Sequence, residues 1–284
     1  MTIILNEKLY AEELLKNYVL GNKPSETLGI LVKYFYNMGY NQEKIRKELN
    51  DFMEKSCTIK YNPDKWQDTF DNLIKQAKKY KLKEIDYISI TENELKTISS
   101  IKNKPLERLA FTLLCLSKLA NKFNPNNNDW SNRQDKEVFK LANIQVNITK
   151  QCLMINDLKN LGLIEYSKII DNINTKVLFI DEDSKEILKI TKFRDLGNEY
   201  LFWKGEKFKR CRECGKLIRP NKQNNNSYCN ECKAYQPIVT KVLKCIDCGE
   251  EFVVDARNTK TIRCNFCQKS KNRERKRNWK RNNK

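Results

Sequence analysis

The sequence predicts a mainly α-helical protein with small β elements and a cysteine-rich last third, and three observations predict it. Cap residues recur ahead of apolar positions spaced three and four apart through the first hundred residues. Two β-favouring runs, LIEYSKII and TKVLFID, follow three helical segments that begin at Pro105. Eight of the 11 cysteines then fall into four C-x-x-C pairs. The chain is accordingly expected to divide into a helical region over 1–84, a second domain with flanking elements over 85–204, one four-cysteine module over 205–238, and another with a basic tail over 239–284.

The first helices are announced by their starts. Asn22 and Pro24 precede SETLGILVKYFYNMGY, Asn41 opens QEKIRKELNDFMEK, and Asn62 with Pro63 opens DKWQDTFDNLIKQAKKY. Asn can accept from the free N–H groups of a first turn, and Pro suits the first helical position because that N–H is unpaired anyway. Thr91 and Glu94 make a capping box ahead of LKTISSI. Tyr34, Phe35, Phe52, Trp66 and Phe70 are expected in the core of this region, and no catalytic pattern accompanies them.

Next, Pro105 starts the helix LERLAFTLLCLSKLANKF; an Asn-rich loop, NPNNNDWSN, leads to a short helix in RQDKEVFKLANI. A turn from Gln145 to Ile148 leads to TKQCLMINDLKNLG, with Gly162 as its stop, and the two strands turn around Asp171 to Asn174. Helix, helix, turn, helix, hairpin is the order of a winged helix. The phrase NDLKNLGLIEYS resembles the corner between recognition helix and first wing strand in that fold, and the likeness runs from Leu106 to Asp181. With Met154, Ile155, Leu158 and Leu161 set toward the core, Thr149, Lys150, Cys152, Leu153, Asn156 and Asp157 face outward. Thr149, Lys150 and Asn156 are then the candidate nucleic-acid contacts, on a face poor in cations. Docking on a protein is the competing reading of that face.

Cys115 and Cys152 are expected as small buried apolar residues, and Cys57 has no partner by motif. After Glu186, ILKITKFRDLGNEYLFWKG starts strand-like and continues with Phe193, Leu196 and Tyr200 at helical spacing. Asp181, Glu182 and Asp183 read as a solvent-facing turn, not as the carboxylates of a nuclease.

Composition narrows the chemistry. The chain holds no histidine, which excludes His-based acid/base catalysis and His metal ligands, so a zinc site must use thiolates or carboxylates. Of the formal charge of +19, most lies late: positions 204–284 carry 23 Lys and Arg against 8 Asp and Glu, leaving 32 against 28 before them. Nine of the 13 arginines share that last third, and Arg offers a rigid fork for phosphate. MTIILNEKLY lacks the basic start and cleavage pattern of a signal peptide, and LERLAFTLLCLSKLA is too short and too charged to span a bilayer. A cytoplasmic protein without membrane contact is expected.

The cysteines carry the most specific signal. Cys211 and Cys214 precede Cys229 and Cys232, and Cys245 and Cys248 precede Cys264 and Cys267; glycine follows the leading pair of each set, as Gly215 and Gly249. Two residues between cysteines let one tight turn present two thiolates, and glycine there can take a backbone conformation forbidden to most residues. A reducing cytosol disfavours disulfides, and no βαβ pattern supports a redox pair. Two structural Zn2+ ions are expected, one per tandem repeat, each closed by four thiolates with no open position for catalysis.

The second repeat, CIDCGEEF, an expected hairpin through VVDARNTKTIR, and CNFC leading into a basic helix, is similar to short zinc-ribbon tails of phage and prophage proteins from low-GC bacteria. With the winged helix, this resemblance implies a phage or mobile-element protein that binds nucleic acid, double-stranded DNA first, in replication initiation or organisation or in transcription control. It implies no enzyme activity. An adaptor docking on a host polymerase or helicase is the alternative, and RNA binding is a third. In the tail, Arg273, Arg275, Lys276, Arg277, Lys280 and Arg281 accompany Trp279 as phosphate-binding and stacking candidates. These cations are expected to surround a helix, which favours backbone contact over base reading.

Overall fold

The computed structural model describes residues 3–20, 23–56, 61–167, 174–212, 214–220, 227–230, 232, 240–255, 258 and 260–282. Asn22, Cys57, the turn at 171–173 and the preceding 168–170 lie outside the described residues, as do 256, 257 and 259 of the hairpin expected in the second repeat. The chain forms two compact units, Met1–Phe208 and Lys209–Lys284.

The first unit opens with α1 (Glu7–Asn17), α2 (Pro24–Asn37), α3 (Gln42–Ser56) and α4 (Gln67–Ala77). Asparagine sets several starts: Asn6 Oδ1 accepts from the Leu9 N–H at 2.9 Å, and Asn41 Oδ1 from the Lys44 N–H at 2.8 Å. Asn62 instead accepts from Asp64, two residues on, and a 3-10 turn over Pro63–Trp66 precedes α4. The helix ends at Ala77, short of the expected Tyr80, because Tyr80 lies exposed and no apolar burial holds a further turn. These helices share one apolar cluster that buries Phe35, Phe52 and Phe70, while Tyr34 and Trp66 pack half-buried against it.

A second cluster surrounds α6 (Lys104–Phe123) and draws on β1 (Ile88–Thr91), α5 (Glu92–Ser100), α7 (Asp135–Leu141), α8 (Ile148–Asn160), β3 (Ile164–Tyr166), β4 (Thr175–Val177), β5 (Glu186–Ile190) and α9 (Leu196–Trp203). The expected order of helices and hairpin is present, and β3 pairs antiparallel with β4 through Ile164 opposite Val177. Two strands were not expected. β1 pairs antiparallel with β5, Ile88 opposite Ile190. β2 (Trp130–Ser131) emerges from the Asn-rich loop and adds to β4, giving the antiparallel order β2-β4-β3. Asn128 and Asp129 turn the chain there at φ 51° and 67°, a left-handed conformation that Asn and Asp tolerate better than most residues.

α6 buries 13 of its 20 residues, so the charges it carries inward must be paired. Lys118 Nζ donates to Glu94 Oε1 at 2.8 Å with both side chains buried. Glu94 Oε2 accepts from the Thr91 N–H at 2.8 Å, the carboxylate half of the capping box, and Oε1 also accepts from the Asp181 N–H. Glu107 Oε2 accepts from Tyr200 Oη at 3.0 Å and Lys204 Nζ at 2.7 Å. Gly197 lets α9 approach the chain after α7: a Cβ there would stand 2.0 Å from the Ala142 carbonyl oxygen.

The second unit has two short hairpins, β6 (Lys209–Arg210) with β7 (Leu217–Ile218) and β8 (Thr240–Lys244) with β9 (Glu251–Asp255), and a final helix, α10 (Asn265–Asn282). In the second repeat β8 and β9 form an antiparallel hairpin that turns at the cysteine knuckle, with Leu243 opposite Phe252. The knuckle is itself the tight turn, so the chain reverses there. Among the described residues, no helix is long and apolar enough to cross a membrane.

Candidate metal centres and nucleic-acid interface

The two cysteine quartets are built alike. In the first, the Cys211 N–H donates to the Lys216 carbonyl at 2.8 Å and the Gly215 N–H to the Cys211 carbonyl at 2.9 Å. In the second, the Cys245 N–H donates to Glu250 and the Gly249 N–H to Cys245, each at 2.9 Å. Gly215 and Gly249 close the two turns at φ 71° and 75°, where a side chain is disfavoured.

These turns bring Cys211, Cys214, Cys229 and Cys232 together, and separately Cys245, Cys248, Cys264 and Cys267, with the Sγ atoms of each set within 4.8 Å of one another. Cys214 and Cys229 Sγ are 3.7 Å apart; Cys248 and Cys264 Sγ are 3.8 Å apart. A zinc–sulfur bond of about 2.3 Å gives a tetrahedron with edges of about 3.8 Å. The donor sets therefore fit a tetrahedral zinc in identity, number and spacing.

Electrostatics argue the same way. Backbone N–H groups of Cys264, Cys248 and Asp247 draw the Cys245 thiol down to about 6, whereas burial and the neighbouring thiols push Cys232 and Cys267 up. Four thiols this close resist full ionisation unless a cation sits among them. Amide donors already aim at the sulfurs, from Cys229 N–H to Cys211 Sγ at 3.3 Å and from Cys232 N–H to Cys229 Sγ at 3.4 Å.

Sequence reasoning missed the brace of the second quartet. Arg263 Nε donates to Asp247 Oδ2 at 2.7 Å, and the Ile246 N–H donates to the Ile262 carbonyl at 3.1 Å. These contacts join the loop of the leading pair to the irregular segment just before the trailing pair. The signal was an acid inside one C-x-x-C and an Arg just before the other.

On α8, Thr149, Lys150 and Asn156 are exposed, together with Leu153 and Asp157, while Met154, Ile155 and Leu158 are buried. Two expectations fail. Leu161 is 54% exposed, because the chain leaves the helix through Gly162 at φ 70° and the Leu163 N–H closes back on the Leu158 carbonyl, so that Leu163 packs against the cluster instead. Cys152 is exposed, as its expected place on the outward face with Thr149 and Asn156 requires and against its reading by residue type as buried; Cys115 is fully buried as expected. The Asp181 carboxylate is occupied in shaping its turn, accepting from Asn93 Nδ2 and the Asp183 and Ser184 N–H groups.

On α10, Arg273, Arg275, Lys276, Arg277 and Arg281 are exposed, and Trp279 is 67% exposed; the side chain of Lys280 lies outside the described residues. The α8 residues belong to the first unit and the α10 residues to the second. Comparison with protein-family models, curated proteins and solved structures yields no match.

Proposed function

We propose that this chain is a zinc-containing DNA-binding protein of a phage or mobile element that acts by binding, without catalysis, in replication or transcription control. The observation that carries the reading is the arrangement of the second unit, where two cysteine quartets fit for zinc anchor a chain ending in an exposed, Arg-rich helix. The order α6, α7, α8, β3, β4, with β2 completing a three-stranded antiparallel sheet, supports the winged-helix reading of the first unit. In that reading Thr149, Lys150 and Asn156 meet base edges or phosphates, and the α10 cations meet phosphates.

The exposed side of α8 favours a second reading for that helix. Ile148 is 77% and Leu153 53% exposed, an apolar character better suited to a protein partner, such as a host polymerase or helicase, than to a groove.

Salt titration of duplex binding tests the proposal. Removing residues 268–284 takes away nine Lys and Arg and one Glu, and should weaken binding to unrelated sequences alike, with the log–log salt slope falling by about 0.9 for each lost phosphate contact. Unchanged affinity after this truncation overturns the phosphate-binding role and leaves the docking reading. Lys150→Ala or Asn156→Ala should reduce preference for one site by roughly 1–3 kcal/mol and spare random-sequence binding if α8 reads bases.

A further inference from the structure

The helix α10 fixes the angular position of every residue from Asn265 to Asn282. At about 3.6 residues per turn, Lys269, Arg273, Lys276, Arg277, Lys280 and Arg281 fall within an arc of about 140°. The remaining arc of about 220° holds Lys271 and Arg275, with Glu274 at its edge and Trp279 among Asn and Gln residues. The cations therefore do not surround the helix evenly. Cys267, which points into its quartet, sits about a third of a turn from the middle of the cationic arc, and Lys269, Arg273, Lys276, Arg277 and Arg281 are all exposed.

We propose that α10 lies along one phosphate strand of duplex DNA through the face formed by Lys269, Arg273, Lys276, Arg277, Lys280 and Arg281, with Lys271 and Arg275 turned away from it. This rests on the nucleic-acid reading above and specifies how that helix engages its partner. The charge density matches. Lys269 to Arg281 spans about 18 Å of helix, over which one strand of duplex carries about five phosphates at roughly 3.4 Å each. Six cations suffice for that strand and fall short of the roughly ten phosphates that both strands carry over the same length. Arg273, Arg277 and Arg281 form an i, i+4, i+8 row down the face, presenting guanidinium forks suited to phosphate oxygens.

The test uses the full chain loaded with zinc and two double variants that remove the same charge and residue types. Lys276→Gln with Arg277→Gln strips the face; Lys271→Gln with Arg275→Gln strips the other side. Each is titrated against a random-sequence duplex at several salt concentrations, with zinc content and circular dichroism confirming the fold. The face variant should lower the slope by about 1.8 and weaken binding on the order of 50-fold at 0.1 M salt, and the other variant should change the slope by less than about 0.5. Equal losses in both variants, or no loss in either while the parent binds, overturn the face assignment and leave the nucleic-acid reading in place. A parent that binds duplex without salt dependence overturns both.

Discussion

In the first unit, Phe52, Phe70, Phe111, Phe139, Phe193 and Tyr200 are all fully buried among leucines and isoleucines. In the second, the buried residues among those described are Cys211, Leu217, Cys229, Cys245 and Cys267. Each large buried side chain of the first unit contributes roughly 1.5–3 kcal/mol by leaving water. Among its described residues the second unit has one such side chain, Leu217, and its exposed surface includes Val242, Ile246, Val253 and Phe266, residues that a core would normally take in. What an apolar interior does for one unit, metal–thiolate bonds at the two quartets would do for the other on the proposed reading.

The sharpest way to break this comparison is metal removal. A strong chelator should unfold the residues after Phe208 and spare the helices before it, since each structural zinc supplies about 10 kcal/mol or more of folding free energy. Elemental analysis should find two zinc ions per chain, and residue-resolved NMR should show loss of dispersion in the second unit alone. Retained structure there without metal would mean that the quartets are not its core.

The converse experiment targets the buried pair of the first unit. Glu94→Ala leaves Lys118 buried without its carboxylate and frees the Thr91 and Asp181 N–H groups, so urea unfolding should show a loss of about 3–5 kcal/mol. Zinc content should not change. Gly197→Ala comes next: the added methyl meets the Ala142 carbonyl oxygen at 2.0 Å, and the forced separation of α9 should cost about 3 kcal/mol, again in the first unit only. The smallest effect is expected for Gly249→Ala, where the new Cβ meets nothing within 4 Å and only the φ of 75° is strained. A loss of roughly 1–2 kcal/mol, read as a five- to thirtyfold weaker affinity at the second zinc site, should leave the first site as it was.

What the sequence disclosed follows the same line. The quartets were legible because ligand spacing is a local constraint, and the glycine after each leading pair carried its own reason in a positive φ. Helix starts were legible where Asn41 and Asn62 could reach an N–H two or three residues on. β1 was not, because four residues of ISIT become a strand only through a partner about a hundred residues later, at Glu186–Ile190. β2 is two residues long and depends on β4 in the same way. Leu161 and Cys152 were misplaced for a different cause: apolar type was read as burial, while the turn at Gly162 and the outward face of α8 decided otherwise. The one-sided placement of the α10 cations required the helix to be continuous from Asn265.

The two quartets also differ from the first unit in reach along the chain. Cys211 and Cys232 close a loop of about twenty residues, as do Cys245 and Cys267, whereas β1 must find β5 across the whole of the second cluster. Contacts this local form quickly, and the turn bonds of each knuckle, Gly215 N–H to the Cys211 carbonyl and Gly249 N–H to the Cys245 carbonyl, lie within that knuckle. Metal loading should therefore proceed in two separable steps rather than one cooperative transition. A chain carrying a single ion would be a populated species at limiting zinc, with one hairpin formed and its neighbour still open.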